Sequence, residues 1–368
     1  MSVKNTYSSK SDAKEAVLEI SDGFKDFENK MILYFASSNY DLEGMGKEMK
    51  KAFPDSEIFG CSTAGEITSG EVLKNSVVAM SFDSGTVEDV KIEVVKKIKE
   101  ENNVKKAFEG FESYYGGKMS EMDVEKYVGI ILADGLTCAE EKLMDTIGDL
   151  TNVTFIGGSA GDDLKFKQTW VFADGKVYSD VAVLVLVKCK KGFDVIKSQS
   201  FKVTDKKLVA TKVDEDNRKV LEFNDRPAVE AYAEVVGAKS DKAADHFMNH
   251  PVGLMVGGEP YVRSPQLIED KSIKFYCKVK QGAELRLLAS TDIVKDTKKS
   301  VKSKIDELGG VTAILNFHCI LRTLELEKLK QTDAYGAIFK DIPTIGFSTY
   351  GEEYVGHINQ TSTMLVFK

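Results

Sequence analysis

"IFGCSTAGEI", residues Ile58–Ile67, leads from an apolar run into a turn made of two glycines, two hydroxyls, a thiol and a carboxylate. The same order of residue types returns in "FIGGSAGDDL", residues 155–164, and in "TIGFSTYGEE", residues 344–353. Each copy reads as apolar run, glycine, Ser/Thr/Ala pair, glycine and carboxylate. Each is followed by strand-like sequence rather than by a helix: "KNSVVAMSF", "QTWVFADGKVYSDVAVLVLV" and "NQTSTMLVFK". Repetition of a strand, a glycine-hydroxyl turn and further strand predicts sheets with like connections, and three turns able to line one cavity.

Around these copies the chain alternates helix and strand. "SDAKEAVLEISDGFKDF" carries a Ser-Asp cap and spaces Ala13, Ala16, Val17 and Ile20 at helical intervals. "KMILYFAS" is an apolar run of strand length, and "YDLEGMGKEMKKAFPDS" is a helix stopped near Pro54. "EVLKNSVVAMSFD" and "VEDVKIEVVKKI" are expected as two valine-rich strands, "VKKAFEGFESYYGGKM" as a helix ended by glycines, "KYVGIILAD" as a buried strand and "AEEKLMDTIGDL" as a helix. The charged stretch "KVTDKKLVATKVDEDNRKV" reads as strands around a turn at a domain junction. Beyond it, "VLEFNDRPAVEAYAEVVGA" gives a strand, a turn at Asn224-Asp225-Arg226 and a helix opened by Pro227, and "VTAILNFHCILR" is a buried strand running into Arg322. The expected fold class is α/β (α+β), with two domains whose mixed or largely antiparallel sheets are flanked by helices.

Composition narrows the function. A chain of 368 residues, 42% apolar and 29% charged, can bury at least one large core. A formal charge of -8 argues against nucleic acid as a partner, and the clusters "VKKIKEENNVKK" and "VKDTKKSVKSK" are broken by acids, amides and hydroxyls into solvated faces. No segment approaches the roughly 20 apolar residues of a membrane span, and the first residues lack the apolar core of a secretory signal, so a cytoplasmic protein is expected. Cys61, Cys138, Cys189, Cys277 and Cys319 form an odd, widely spaced set with no C-x-x-C pair, which suits reduced thiols.

Glycine allows a ligand close approach to the backbone, while backbone N–H groups and Ser/Thr hydroxyls make a concave donor surface. A neighbouring carboxylate adds an acceptor. Cys61, Ser62, Thr63, Gly65 and Glu66 of the first turn, Ser159 and Asp162 of the second, and Ser348, Thr349 and Glu352 of the third are therefore candidate ligand-binding residues. The alternative is three sharp connections whose hydroxyls satisfy their own turns.

Catalytic readings find less in the sequence. Gly157–Gly161 matches G-x-S-x-G, but a nucleophile elbow needs a helix after its serine, and here Asp162 and Asp163 lead into strands. Cys61 is the alternative nucleophile, provided a base stands near it. His246 and His250 are four apart but have no third ligand at a telling distance, so no metal site is expected. No P-loop and no dinucleotide fingerprint occurs.

"GCSTAGEI", "IGGSAGDD…TWVFADGKVY", "LEFNDRPAVEAYAEVVG", "FHCILR" and "IPTIGFSTYGEE…NQTSTMLV", in that order, resemble the successive signatures of FIST domain proteins (F-box and intracellular signal transduction). The resemblance implies a lead-in over residues 1–29, a FIST N domain over 30–219 and a FIST C domain over 220–368. It also implies a sensory module that binds a small ligand such as an amino acid and signals to a separate output protein. Some similar proteins bind haem and sense nitric oxide, so the expectation of no cofactor has haem as its alternative. The favoured site gathers the three turns with Arg322 and Arg263, whose guanidinium groups suit a ligand carboxylate, and with Asn359 and Thr361 before the last strand, where the two halves meet.

Overall fold

The computed structural model describes residues 2–101 and 103–368. They divide into two compact units, Met1–Ser198 with Thr297–Gly356 and Ser362–Lys368, and Gln199–Asp296 with His357–Thr361.

The first unit uses one plan three times: edge strand, helix, strand, helix, strand, turn, hairpin and return strand. In the first repeat these are Val3–Ser8, Ala13–Gly23, Met31–Ser37, Leu42–Ala52, Glu57–Thr63, the hairpin Glu66–Thr68 with Glu71–Leu73, and Val77–Phe82. The second repeat runs Val87–Lys96, Val104–Tyr115, Tyr127–Ala133, Glu140–Leu150, Phe155–Ser159, the hairpin Val171–Ala173 with Lys176–Tyr178, and Val181–Cys189. The third opens with Phe193–Gln199, is interrupted by the residues of the second unit, and resumes with Ile293–Leu308 and Ala313–Cys319. Helices Ile320–Lys328 and Thr332–Gly336, strand Thr344–Thr349, strand Glu352–Tyr354 and strand Thr361–Phe367 complete it.

In every repeat the strands before and after the second helix pair in parallel, and the return strand pairs antiparallel with the first of them. The edge strand lies outside the return strand. The hairpins are exchanged cyclically. That of the first repeat joins the third sheet beside Thr344–Thr349, that of the second joins the first sheet beside Glu57–Thr63, and Glu352–Tyr354 joins the second sheet beside Phe155–Ser159. No helix follows the repeated turns because each turn hands the chain to a neighbouring sheet. The sheets are therefore mixed. The sequence segment "EVLKNSVVAMSFD", expected as one strand, is split at this exchange: Glu71–Leu73 belongs to the hairpin and Val77–Phe82 to the return strand.

The first glycine of each copy has one steric cause. Gly60, Gly157 and Gly346 sit opposite Tyr34, Ile131 and Asn316 in the three parallel ladders. A Cβ there would lie 1.8, 1.7 and 2.1 Å from the carbonyl oxygens of those residues. The backbones come too close for any side chain. Inner faces of all three sheets share one core, in which the Phe35 ring lies 6.5 Å from Phe317 and 4.5 Å from Phe347. Outer faces of the first and second sheets carry apolar layers under their helices, exemplified by Ile32, Tyr34 and Ala36 with Met45 and Ile20, and by Ile131 and Ala133 with Phe108 and Leu143.

The second unit is built on an antiparallel sheet. The charged stretch after Ser200 forms its long strand Phe201–Asp214, paired with Glu284–Ser290 on one side and Lys219–Phe223 on the other. Hairpins Val252–Val256/Glu259–Arg263 and Pro265–Glu269/Ser272–Phe275 flank these strands. Helix Ala228–Val236, preceded by Pro227 and ended by Gly237 in the left-handed region, buries Tyr232 against Phe223 and Leu285. Among the described residues no helix of either unit is long and apolar enough to cross a membrane.

Candidate functional site

The three repeated turns meet in the first unit, and they bond to one another. Ser62 Oγ donates to Gly161 O at 2.7 Å and accepts from Trp170 N at 2.9 Å. Asp163 N donates to Thr63 O, Ala64 N to Ser348 O, and Ser348 N to Gly65 O. Thr349 Oγ1 lies 2.7 Å from both Ser159 O and Gly351 O and donates its one proton between them. Cys61, Ser62, Thr63, Glu66, Ser159, Asp162, Ser348, Thr349 and Glu352 are all buried, as is Gly65, which takes a φ of 135°. The hydroxyls thus satisfy their own and neighbouring turns, the alternative that the sequence left open.

The carboxylates of Glu66 and Asp162 follow the same pattern. Glu66 accepts from Thr63 Oγ1, from Ser76 Oγ at 2.7 Å and from Ser76 N at 3.1 Å. Burial raises its pKa to about 7 against the downward pull of those donors, with Asp163 adding to the rise. Asp162 staples the excursion that follows it, accepting from Phe166 N, Lys167 N and Gln168 N at 2.9, 2.6 and 3.1 Å and from Tyr350 OH at 2.5 Å. Ser159 Oγ lies 3.3 Å from both Glu140 Oε1 and Glu353 Oε1. Glu352 pairs with Gly158 across the exchanged strand. The Cys61 thiol is fully enclosed, and burial pushes its pKa well up, away from the reactive thiolate.

Arg322 stands differently from its expected place. The strand ends at Cys319, and Arg322 lies in the helix Ile320–Lys328, 2% exposed, because the apolar run that suggests a longer strand turns helical at Ile320. It donates through a guanidinium NH2 to Thr297 Oγ1 at 2.8 Å, and Thr297 is 3.3 Å from Ser198 Oγ. Ser198 and Thr297 are the residues at which the chain leaves the first unit for the inserted one and returns.

Beside Arg322 the outer face of the third sheet is polar where those of the other two repeats are apolar. Asn316 and His318 point from the strand Ala313–Cys319 toward Tyr335, with Ser362 opposite His318 in the antiparallel ladder. Ser362 Oγ donates to Asn316 Oδ1 at 2.7 Å, Asn316 Nδ2 donates to Tyr335 OH at 3.0 Å, and Tyr335 OH lies 2.9 Å from His318 Nδ1 and 3.3 Å from Ser362 Oγ. His318 Nε2 is buried and has no hydrogen-bond partner among the described residues. Burial, then the Arg322 cation, hold the His318 pKa well below its ordinary value, so the ring is neutral. Thr323 Oγ1, 2.7 Å from Ser348 Oγ, connects this layer to the third turn. The sequence reading singled out Arg322 and Ser348 but not Asn316, His318, Tyr335 or Ser362. The available signal was two polar residues at period 2 in the otherwise apolar "AILNFHC".

Arg263 and Asn359 belong to the second unit. Arg263 NH1 donates to Val262 O at 3.2 Å and approaches His357 O at 3.4 Å. Asn359 is 1% exposed, and its Oδ1 has no hydrogen-bond partner. Next to it, Gln360 accepts from Ser264 Oγ at 2.6 Å and donates to Met248 O at 2.9 Å, and Thr361 is buried. His246 and His250 lie with ring centres 5.9 Å apart, and His250 Nδ1 is 3.2 Å from Leu288 O.

The chain is 26% identical over 277 residues to an uncharacterized protein of Methanocaldococcus jannaschii, an overlap covering 71% of this chain and 52% of that one. The match thus spans about half the length of the relative. The FIST N domain matches residues 30–226 and the FIST C domain residues 228–354, so the turns of the first two repeats are FIST N sequence, and the third turn with Asn316, His318, Arg322 and Tyr335 is FIST C. The chain belongs to the FIST family, whose domains are associated with sensing in signal transduction.

Proposed function

We propose that this chain is a sensory ligand-binding protein without catalytic turnover, which takes a small polar metabolite bearing a carboxylate, such as an amino acid, and signals to a separate protein. One observation carries the reading: the buried His318 Nε2 has no hydrogen-bond partner among the described residues and, when it bears the ring's proton, offers an N–H donor within the field of the buried Arg322 guanidinium. A neutral N–H donor beside a fixed cation suits an oxyanion. Natural interiors pair their buried donors, so a donor without an acceptor marks a place kept for something else. Arg322 also holds Thr297, so a change at the guanidinium is felt where the chain crosses between units.

A thermal-shift and calorimetric screen of amino acids and small carboxylates tests this. A stabilising ligand is expected, and Arg322→Met and His318→Phe are each expected to weaken it by about 1.5–3 kcal/mol, the worth of a charge-assisted hydrogen bond. Failure to find a stabiliser, or a loss of about 3–5 kcal/mol in the ligand-free Arg322→Met protein with binding unchanged, would assign the layer to folding alone. The haem alternative rests on the family resemblance alone. A Soret band from the purified protein would support it. The alternative of catalysis by Cys61 needs a thiolate that full burial opposes.

A further inference from the structure

A cavity lies in the first unit at the junction of its second and third repeats, near the ends of the strands remote from the repeated turns. It has a volume of about 690 Å³, within the range of small-molecule sites. The loop between Val181–Cys189 and Phe193–Gln199 forms one wall, bent at Gly192, whose φ is 85°. Lys126, Lys190, Lys191 and Lys368 line it. The related place at the junction of the third and first repeats, lined by Lys4, Lys340 and Asp341, encloses only about 300 Å³.

The charges in this groove do not cancel. Lys126 is paired with Asp123 at 3.3 Å, and of the two acids in the lining, Asp194 is held by Lys304 at 3.3 Å. That leaves Glu125 against the ammonium groups of Lys190 and Lys191, because the last residue, Lys368, brings its own carboxylate beside its ammonium. Among the described residues Lys191 and Lys368 have no ion pair, and Lys190 has only the field of Glu88 outside the lining. In a protein of net charge -8 this local excess of positive charge is an exception, and a concave site focuses it. Asn152 and Thr154 add uncharged hydrogen-bonding groups, and Phe193 and Tyr354 supply partly buried aromatic surface.

We infer that this groove binds a small phosphorylated molecule. Ammonium groups on flexible stems suit phosphate as point charges, whereas the neutral donor and guanidinium of the His318 layer suit a single carboxylate. The inference is independent of the proposed carboxylate site, because the two sites share no residue. The overall acidity of the surface opposes a long polyanion.

Calorimetric titration of the whole protein with inorganic tripolyphosphate at low and high salt tests it. Saturable binding is expected at low salt, weakening as salt rises. The Lys190→Ala/Lys191→Ala double variant is expected to bind about tenfold more weakly, from roughly two- to fivefold for each exposed charge pair. The Lys105→Ala/Lys106→Ala variant, which removes the same charge from the helix Val104–Tyr115, is expected to bind as the unaltered protein does. All four lysines are outside the core, so folding is not at stake. Absence of saturable binding, equal loss in the two double variants, or tighter binding of an oligonucleotide than of tripolyphosphate would overturn the inference.

Discussion

Glu66 shows how one buried carboxyl can set a pH dependence. Its folded pKa of about 7 stands above the usual 4.5, so the folded protein binds the proton more tightly than the unfolded chain does. The resulting stability is fully present below about pH 4.5, falls as pH rises toward about 7, and is gone above it. Glu66→Gln keeps an acceptor for Ser76 and a polar neighbour for Thr63 while removing the titration. Denaturation midpoints at pH 5 and pH 8 are expected to differ less in the variant, by up to roughly 3 kcal/mol in stability. An unchanged difference would mean that Glu66 keeps its charge when folded. Gly157 gives a second prediction at this scale. A Cβ at 1.7 Å from Ile131 O has no room without displacing the ladder, so Gly157→Ala is expected to lower stability by several kcal/mol, measured by chemical denaturation.

Among the elements, the excursion after the second turn distinguishes that repeat from the others. Asp163, Leu164 and Phe166 all have positive φ, which costs energy, and Asp162 offsets this by accepting three backbone N–H groups and the Tyr350 hydroxyl. Asp162→Ala is expected to cost about 1–3 kcal/mol and to raise hydrogen exchange across residues 163–168 while sparing strand Phe155–Ser159. Exchange in the strand rising as much as in the loop would show that the staple supports the whole second repeat. Sequence reading located this turn but gave Asp162 to a ligand. Asp162 has the chemistry of either role, and only the return of residues 166–168 over its carboxylate decides between them.

At the scale of the whole molecule, the exchanged hairpins make the first unit cooperative. Each sheet is completed by a strand from another repeat, so no repeat can open without stripping an edge from its neighbour, unlike linear arrays that unfold from their ends. Gly346→Ala, placed in the third repeat, is therefore expected to reduce exchange protection of Met31–Ser37 and Tyr127–Ala133 along with Ala313–Cys319. Loss confined to the last strand would contradict this coupling. The sequence by itself determined the three copies, most helices and strands, the α/β class and the family, while leaving the sheets mixed or largely antiparallel, because those features follow from demands met by neighbours along the chain. A glycine where ladders touch, an Asp12 cap that bonds Glu15 N, and an apolar period of 2 or 3.6 are all written locally. Only the tertiary structure decided which sheet each hairpin joins, that the third repeat houses the inserted unit, and that Arg322 leaves its strand for a helix beside His318. The His318 network closes between residues 17, 19 and 46 apart in the chain, and the direction of each hydroxyl is set by whichever acceptor folding brings within reach.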